Sequence, residues 1–297
     1  MAIEKVAVVG SGFLGAKIAL RSAVKGYPVS MYDINQDALE KAKEMQENEL
    51  SSRIEKNTLT EQAKTIIQSR IKDTLNLSEA VADADLVIEA IPERVELKRN
   101  IFKEIDEASP AHTIIATNSS SIRVSHIEDA CERPEKVLNL HFYDPLQQAT
   151  MVDIMRGTKT SDDTIEQVTE YVKGLEITPL LVQKESTGFL FNRVWRAIKK
   201  ETLHLVDDGV GSFEDVDRAW MIMFGSPKGP FGLMDMVGLD VVRDIEMVYY
   251  NESGDDSDYP PRLLLDRIER GELGVKAGKG FYTYPNPAYE DPRWLKG

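Results

Sequence analysis

The chain has 297 residues, of which 42% are hydrophobic and 29% charged, and its formal net charge at pH 7 is -14. That length is sufficient for two domain cores, because single domains usually contain about 100 to 200 residues. The negative charge argues against a nucleic-acid partner, and the sequence has no apolar run near the roughly 18 residues that would span a bilayer, so we expect no membrane partner.

The first predicted element is a buried strand that leads into a glycine-rich turn. Residues 6–9 read Val-Ala-Val-Val, and Gly10, Gly12 and Gly15 then form a G-x-G-x-x-G pattern that opens into a helix over residues 16–25. The glycines let the backbone approach a pyrophosphate, and the unpaired N–H groups at the helix N terminus attract its negative charge. The predicted cofactor-binding residues of this turn are Gly10, Ser11, Gly12, Phe13, Leu14 and Gly15.

A second predicted strand, residues 28–32, determines which dinucleotide the turn would bind. This strand ends at Asp33, about 20 residues after the turn, where an acid is expected to bind a ribose 2′-OH. A carboxylate at this point repels a 2′-phosphate. The pattern therefore predicts NAD rather than NADP.

A helical pair is predicted over residues 36–73, with Asn35 and Thr60 as N-caps. Residues 51–72 carry five basic side chains and two acidic ones, so this stretch has a net charge of +3 within an acidic chain. It could attract an anionic substrate, or it could be an ordinary solvated surface, and the residues alone leave both readings open.

Strands and helices then alternate, which predicts a parallel, doubly wound sheet with helices on its faces. Ligands collect at the carboxyl ends of the strands in such sheets. Two of the predicted strands end in polar residues, namely residues 118–121 after one and His141 after the other. The predicted strands are residues 86–91, 113–117, 136–140, 151–155 and 177–182, and the predicted helices are residues 93–108 and 162–173.

His141 is the histidine best placed for chemistry, because the other three fall in segments predicted to be surface or packing. An imidazole just past a strand end on the cofactor side could take a proton from a substrate hydroxyl, or it could be structural. An antiparallel return of the chain would bring Asp153 beside it to orient the ring. The serines at 119–121 could bind the substrate oxygen or simply form a turn.

The pattern changes near residues 184–187, after which strand signals disappear. We therefore predict two domains, residues 1–184 and residues 185–297, the second of them helical. Its helices are predicted at residues 189–207, 213–224, 239–250 and 261–270. The second domain has more apolar residues than one small bundle needs, which favours a homodimer interface or, alternatively, a plain core. The residues concerned are Trp195, Leu203, Leu205, Trp220, Met221, Ile222, Met223, Phe224, Met234 and Met236.

Taken together, these motifs resemble those of the L-3-hydroxyacyl-CoA dehydrogenase family nearly from end to end. The shared motifs are the glycine turn with Asp33, Glu89-Ala90-Ile91-Pro92-Glu93, Thr117-Asn118-Ser119-Ser120-Ser121, His141-Phe142, Thr187-Gly188-Phe189, Asn192-Arg193, Gly229-Pro230-Phe231-Gly232 and the Gly-Lys-Gly-Phe-Tyr segment near residue 280. The resemblance implies a Rossmann-type NAD-binding domain followed by a helical dimerisation domain.

By position, the resemblance also implies roles for individual residues. His141 would be the general base toward the 3-hydroxyl, with Asp153 as its acid. Ser120 and Asn192 would bind the substrate oxygen and the thioester region, and Lys56 would lie near the phosphates of CoA. The residues implied to contact the nicotinamide half of the cofactor are Glu93, Lys98 and Lys276.

The chain departs from the family pattern in three places. The family pairs its histidine with a glutamate, and Asp153 is one methylene shorter; a misplacement of about 1 Å can cost on the order of 100-fold in rate. If the family mechanism operates with a strained pair, we expect Asp153→Glu to leave activity intact or raise it. The family's His-Phe-Phe-Asn-Pro reads His-Phe-Tyr-Asp-Pro here, so the cofactor-facing amide is replaced by Asp144. Glu49 stands where a serine accompanies the CoA lysine, which disfavours a phosphate nearby.

The leading hypothesis is an NAD-dependent oxidoreductase of fatty acid metabolism that interconverts an L-3-hydroxyacyl-CoA and its 3-oxo form. One alternative is a dehydrogenase of a free 3-hydroxy acid such as gulonate or carnitine, favoured by Glu49 and the altered loop at residues 144–150. Another is an NAD-binding protein that has lost catalysis, suggested by Asp153 and Asp144. We predict no metal site. The single cysteine, Cys131, excludes an intramolecular disulfide framework, and with no room for a signal peptide before the first strand we expect a cytoplasmic protein.

Overall fold

A computed structural model describes residues 2–144 and 151–297. Contacts between Cα atoms divide the chain into two compact units, Met1–Leu190 and Phe191–Gly297, a few residues beyond the boundary expected from the sequence. No helix within the described residues has both the length and the apolar character needed to cross a membrane.

The first unit contains one eight-stranded sheet formed by the described residues. Its strand order is β3-β2-β1-β4-β5-β6-β7-β8, and only the β6–β7 pair is antiparallel. This mostly parallel, doubly wound sheet confirms the predicted Rossmann-type class. The strands are β1 (Val6–Val9), β2 (Val29–Tyr32), β3 (Ile71–Thr74), β4 (Leu86–Glu89), β5 (Ile114–Thr117), β6 (Val137–Phe142), β7 (Met151–Arg156) and β8 (Thr178–Val182).

The central strands are buried on both faces, which explains their continuous apolar runs. Along β1, Val6 and Val8 belong to one core cluster, and Ala7 and Val9 belong to the other. Successive side chains of a strand point to opposite faces, so the two clusters lie on opposite sides of the sheet. The helices that cover the sheet are α1 (Phe13–Val24), α2 (Gln36–Glu55), α3 (Glu61–Ser69), α4 (Leu77–Val81), α5 (Val95–Ala108) and α6 (Asp162–Gly174).

The predicted N-caps of the inserted helical pair are present. The side chain of Asn35 accepts a hydrogen bond from the backbone of Asp37, and that of Thr60 accepts one from Ala63. Each cap satisfies one of the orphan donors of its helix, so these residues set where α2 and α3 begin.

Two differences between the predicted and observed elements of the first unit concern β3 and β6. Residues 71–73, assigned to the helical pair, belong to the edge strand β3, whose four residues are exposed or only half-buried and therefore lack an apolar strand signal. His141 lies within β6 rather than just past it. The antiparallel partner β7 extends the hydrogen-bonded ladder, pairing His141 with Asp153 and Phe142 with Val152.

The second unit is helical, as the sequence predicts. The helix over residues 230–237 was not predicted, because Pro230 and Gly232 are typical of a turn, although proline is also favoured at the first helical position. Asp217 lies behind this helix and accepts hydrogen bonds from the backbone N–H groups of Phe231 and Gly232. The helices are α7 (Phe191–Asp207), α8 (Phe213–Phe224), α9 (Pro230–Val237), α10 (Leu239–Ser253) and α11 (Arg262–Glu269).

Candidate active site

The three glycines of the turn between β1 and α1 differ in what surrounds them. A Cβ on Gly10, whose φ is +104°, would lie 2.7 Å from the carbonyl oxygen of Ala90. A Cβ on Gly15 would lie 2.0 Å from the carbonyl oxygen of Gly10. At Gly12, no atom of the described residues lies within 4 Å of the Cβ position. Gly10 and Gly15 thus serve the fold, whereas Gly12 leaves open space beside the backbone.

The N terminus of α1 has the features of an anion site. Its N-cap, Gly12, provides no side-chain hydrogen bond, as is also true of α5, α9, α10 and α11, whereas α2, α3, α4, α6 and α8 are each capped by a side chain. Among the described residues, no side chain caps the first turn of α1, and the space at the Cβ position of Gly12, its N-cap, is open. Uncapped donors and the helix dipole favour a phosphate at this point, so the turn fits a dinucleotide.

Asp33 follows β2 and is tied to the same turn. Its Oδ2 accepts hydrogen bonds from the backbone N of Ser11 at 2.8 Å and from the Ser11 hydroxyl at 2.9 Å, while Oδ1 accepts one from the backbone N of Asn35 at 3.0 Å. These bonds hold the carboxylate at the edge of the turn. Two apolar side chains in this region, Phe13 and Ile34, are 60% and 85% exposed, and such surface suits a flat apolar ligand group.

Asp144, at the loop after β6, is paired with Lys17 on α1. The Lys17 ammonium also lies 3.9 Å from the centre of the Phe13 ring, a cation–π contact. The acid that replaces the family's amide is thus accompanied by a cation close to the glycine turn. The rest of the altered loop, residues 145–150, lies outside the described residues.

A buried ion-pair network lies at the carboxyl ends of β4 and β5. The Lys98 ammonium, whose side chain is 1% exposed, lies 2.7 Å from Glu89 Oε1, 3.2 Å from the Ile91 carbonyl oxygen and 3.2 Å from Glu93 Oε2. An ammonium has three donors, so these three acceptors fill its hydrogen-bonding capacity. Glu89 also accepts a bond from the Thr117 hydroxyl at 2.7 Å.

Glu93 connects this network to the serine cluster. Its Oε1 accepts hydrogen bonds from the Ser119 hydroxyl at 2.6 Å, the Ser120 backbone N at 3.0 Å and the Ser121 hydroxyl at 3.2 Å. Burial alone would raise the pKa of Glu93, but the Lys98 ammonium and these hydrogen bonds outweigh it and hold the pKa below its ordinary value. Glu93 is therefore a carboxylate at neutral pH, and the Ser120 backbone is fixed by it.

His141 and Asp153 face each other across the antiparallel β6–β7 pair. His141 is 6% exposed and Asp153 is fully buried. The His141 Nδ1 atom lies 3.7 Å from Asp153 Oδ2, and Nδ1 has no hydrogen-bond partner among the described residues. The pair lies at the same edge of the sheet as the carboxyl ends of β1, β4 and β5, which is where ligands bind in such folds.

Two aromatic side chains that the sequence reasoning did not assign enclose the imidazole. The Phe189 ring stacks on His141 with the centroids 4.8 Å apart and the planes parallel, and the Tyr143 ring meets it edge-on at 4.5 Å. Phe189 has a φ of +54°, a left-handed conformation that costs energy in a bulky residue and marks functional sites when it persists. Two sequence features could have indicated these residues: the motif Thr187-Gly188-Phe189, and the tyrosine that follows His141-Phe142.

Three further predicted site residues are Lys56, Asn192 and Lys276. Lys56 is exposed at the end of α2. Asn192 lies in the first turn of α7, and Lys276 lies in the second unit with its ammonium 2.6 Å from both carboxylate oxygens of Asp240. Asn192 and Lys276 belong to Phe191–Gly297, whereas the other predicted residues belong to the first unit.

The basic stretch of residues 51–72 is partly neutralised by acids of α2. Arg53 forms an ion pair with Glu49, and Lys64 forms one with Glu47. Since both acids precede residue 51, the net charge counted within the stretch overstates the local positive potential. Glu49, which departs from the family pattern, is held by Arg53.

Comparison with known proteins identifies relatives along most of the chain. Residues 5–186 match "3-hydroxyacyl-CoA dehydrogenase, NAD binding domain", and residues 188–284 match "3-hydroxyacyl-CoA dehydrogenase, C-terminal domain". The 3-hydroxybutyryl-CoA dehydrogenase of Clostridioides difficile is 35% identical over 280 residues, which cover 94% of this chain and 99% of that protein.

Solved structures agree with this comparison. The (S)-3-hydroxybutyryl-CoA dehydrogenase of Ralstonia eutropha is 34% identical, with a TM-score of 0.89 over 96% of this chain and 100% of that one. A diketoreductase that acts on dicarbonyl compounds is 35% identical, with a TM-score of 0.86 and the same coverage of both chains.

Proposed function

The chain belongs to the 3-hydroxyacyl-CoA dehydrogenase family, and from that premise we propose that it interconverts an L-3-hydroxyacyl-CoA and the corresponding 3-oxoacyl-CoA with NAD. The observation that carries the proposal is the buried pair of His141 and Asp153 at the ligand-binding edge of a sheet whose first turn fits a dinucleotide. A base at that edge and a hydride acceptor bound to the turn are the two groups that oxidation of an alcohol requires.

The cofactor half of the site consists of the glycine turn and Asp33. The uncapped N terminus of α1 and the open space at Gly12 would hold the pyrophosphate, and Asp33 would accept hydrogen bonds from the adenosine ribose and repel a 2′-phosphate. When bound, the oxidised nicotinamide accepts the hydride that leaves C3 of the substrate.

The proton half of the site is His141. Its Nδ1 side faces Asp153, so Nε2 is the atom that would take the proton of the 3-hydroxyl. The Asp153 carboxylate would stabilise the imidazolium that forms. Ser120 and Asn192 would bind the substrate oxygen and the thioester region, and Ser120 is already fixed through its backbone by Glu93.

We assign roles to the charged residues proposed to lie near the nicotinamide half of the cofactor from the hydrogen-bonding groups that their observed contacts leave free. The donors of Lys98 are occupied, so its role is to hold Glu93 in place rather than to bind the cofactor directly. Glu93 and Lys276 remain candidates for that contact. Asp144 would lie near the nicotinamide with its charge offset by Lys17.

The second candidate function is reduction of a 3-oxo compound that is not attached to CoA. Two observations favour it. Glu49 is paired with Arg53 on α2 and so reduces the positive charge of the basic stretch that contains Lys56, the residue proposed to lie by the CoA phosphates. In addition, one similar structure is a diketoreductase of dicarbonyl compounds. A catalytically impaired NAD-binding protein is the third outcome, and it would follow if the 3.7 Å gap between His141 Nδ1 and Asp153 Oδ2 left the imidazole without an orienting partner.

We also propose that the second unit forms a homodimer. Of the apolar residues that the sequence analysis counted as surplus, Leu203, Met221 and Met234 are buried in the core of that unit. Others are exposed: Ile222 by 62%, Met223 by 77%, Phe224 by 66% and Met236 by 54%. Ile222, Met223 and Phe224 lie at the end of α8 and Met236 lies near the end of α9, and exposed apolar side chains of this kind are typical of a protein interface.

A substrate panel tests these proposals. NADH oxidation is measured with acetoacetyl-CoA, then with free 3-oxo acids and diketones, and NADH binding is measured without substrate. We expect turnover with acetoacetyl-CoA to exceed that with the free compounds, and NADH to be preferred over NADPH. Faster turnover of the free compounds would favour the second candidate. NADH binding without any turnover would favour the third.

A further inference from the structure

Asp153 has a second neighbour, which arises from the same stretch of sequence as His141. The hydroxyl of Tyr143 donates a hydrogen bond to Asp153 Oδ2, the oxygen nearest to His141 Nδ1. Tyr143 also meets the His141 ring edge-on. One tyrosine therefore contacts both members of the proposed acid–base pair.

The distance between the pair explains why this contact matters. A gap of 3.7 Å between Nδ1 and Oδ2 exceeds the usual range of about 2.7 to 3.2 Å for such a hydrogen bond. Asp153 is one methylene shorter than the glutamate of the family pattern, so it does not reach the ring as a longer acid would. An acid at this distance orients the imidazole only if the carboxylate itself is held still.

Burial of the carboxylate makes the tyrosine its main stabilising contact. Asp153 is fully buried, and its Oδ1 has no hydrogen-bond partner among the described residues. A buried carboxylate without donors is costly, and a hydroxyl donor to a charged acceptor is one of the stronger hydrogen bonds. The Tyr143 hydroxyl thus keeps Oδ2 turned toward His141.

We propose that Tyr143 is a positioning residue that acts with Asp153 in place of a longer acid; this inference rests on the proposed role of His141 as the base. Tyr143 keeps its own proton throughout. The substrate hydroxyl proton moves to His141 Nε2, and the charge that forms on the ring is stabilised by a carboxylate held by the tyrosine. The Phe189 ring stacks on a face of the imidazole.

This arrangement reverses the expectation for Asp153→Glu that follows from the sequence alone. The side chain of Asp153 is fully enclosed, and the Tyr143 hydroxyl already lies on the side where a longer acid would extend. An added methylene therefore has to displace either the tyrosine or the imidazole. Removing the tyrosine hydroxyl provides the room that the longer acid needs.

The test is a double-mutant cycle between these two residues, measured as kcat and KM with the best substrate of the panel. We expect Tyr143→Phe and Asp153→Glu each to lower kcat by about 10- to 100-fold, with KM for NADH unchanged within about twofold. The double variant Y143F/D153E should recover most of the lost kcat, because the glutamate then reaches Nδ1 itself. Tyr27→Phe, which removes the hydroxyl of another partly buried tyrosine, is the matched control and should leave kcat unchanged.

Unchanged kcat in Tyr143→Phe, or a double variant no faster than the single variants, would overturn the inference. A readout without turnover separates its failure from that of the proposed function. In protein labelled with ¹⁵N-histidine, the His141 signals are assigned by their loss in His141→Ala. We expect one tautomer, protonated at Nδ1, in the wild type and a mixture in Tyr143→Phe. The same tautomer in both would contradict the positioning role even if the wild type turned over no substrate in the panel.

Discussion

Lys98 and Glu89 form an ion pair that is buried beneath the serine cluster, with side-chain exposures of 1% and 0%. Burial raises the pKa of Glu89, and Lys98 opposes that rise through its charge and its hydrogen bond. The same ammonium holds Glu93, which fixes the Ser120 backbone. At the scale of single residues, the site is therefore organised by a cation that need not touch substrate.

Replacing this cation tests its structural role. We expect Lys98→Met to lower the free energy of unfolding by about 3 to 5 kcal/mol, because it leaves the Glu89 carboxylate buried without its partner. The measurement is urea unfolding. The double variant E89Q/K98M should recover much of the loss. Lys103→Met, which breaks the exposed Lys103–Glu107 pair, is the control and should change stability by no more than about 0.5 kcal/mol.

His141, Asp153 and Asp33 could be located from the sequence because each depends on strand order and register, which apolar patterning predicts. The sequence reasoning missed Phe189 and Tyr143 because their roles follow from contacts between side chains in the folded protein. Phe189 reaches the imidazole through two successive positive φ angles, at Gly188 and at Phe189 itself. No spacing rule predicts that conformation. Tyr143 was visible as a departure from the family pattern, but its bond to Asp153 depends on three-dimensional contact.

At the scale of elements, variants of the β1–α1 turn can test cofactor binding and folding separately, because its glycines differ in their surroundings. Gly12 has a φ of -59° and open space around its Cβ position, so alanine is compatible with the fold there. We expect Gly12→Ala to leave the thermal unfolding midpoint nearly unchanged but to weaken NADH binding by at least about tenfold, because a methyl group would occupy the space next to the pyrophosphate. Fluorescence titration with NADH measures the affinity.

Gly10→Ala and Gly15→Ala are the matched comparisons for that prediction. Their Cβ atoms would clash with backbone oxygens, so both should destabilise the protein as well as weaken binding. The assignment of the turn would be wrong if Gly12→Ala bound NADH as tightly as the wild type.

In the second unit, backbone N–H groups at the start of α9 donate hydrogen bonds to the buried side chain of Asp217, and the protonation of this side chain affects stability. Burial raises the pKa of Asp217 to about 6, although hydrogen bonds from Phe231, Gly232 and the Tyr282 hydroxyl act against that rise. Between the unfolded pKa near 4 and the folded pKa, the native state holds a proton that the unfolded state has lost. The contribution of Asp217 therefore favours folding at low pH and is lost as the pH rises toward about 6.

This contribution is measured by comparing the wild type with Asp217→Asn at several pH values by urea unfolding. We expect the asparagine variant to be less stable throughout, since an amide cannot accept all three hydrogen bonds. The difference in unfolding free energy between the two proteins should shrink as the pH rises from about 4 to 6, by at most about 3 kcal/mol. A difference that stays constant across this range would contradict the raised pKa.

Among the elements, those with strong apolar periodicity or clear caps could be predicted, and α8 was predicted with both ends correct. The edge strand β3 was missed because its neighbours leave it half-exposed, so it carries no apolar run. Helix α9 was missed because Pro230 at its start and Gly232 within it are turn signals in the absence of tertiary contacts. In both cases tertiary context decided the structure.

At the scale of the whole molecule, the order of the two units and their family could be predicted from motifs spread along the chain. The substrate could not be predicted from the sequence, because substrate choice depends on the charge and shape of the surroundings of individual residues in the folded protein. Lys56 and Glu49 illustrate this: their sequence positions indicate a phosphate site, but the Arg53–Glu49 pair alters the local charge. The identity of the acyl carrier is thus a question for the substrate panel.

The proposed homodimer is also tested on the whole molecule. We expect the wild type to sediment as a dimer, because the exposed end of α8 presents contiguous apolar side chains at Met223 and Phe224. The variant M223D/F224D should sediment as a monomer. Leu75→Asp, which adds a charge at an apolar position 52% exposed in the first unit, is the control and should remain dimeric. A wild type that is monomeric at micromolar concentration would contradict the assignment of this surface.

The most direct test of the central claim, that His141 is the base of an NAD-dependent dehydrogenase, is to measure turnover and NADH affinity together in His141→Ala. The account predicts that kcat for the best 3-oxo substrate falls by about 100- to 10,000-fold while the dissociation constant for NADH stays within about twofold of the wild type. His126→Ala, at an exposed histidine outside the site, should change neither quantity. Retained turnover in His141→Ala, or an equal loss of turnover and NADH binding, would contradict the account.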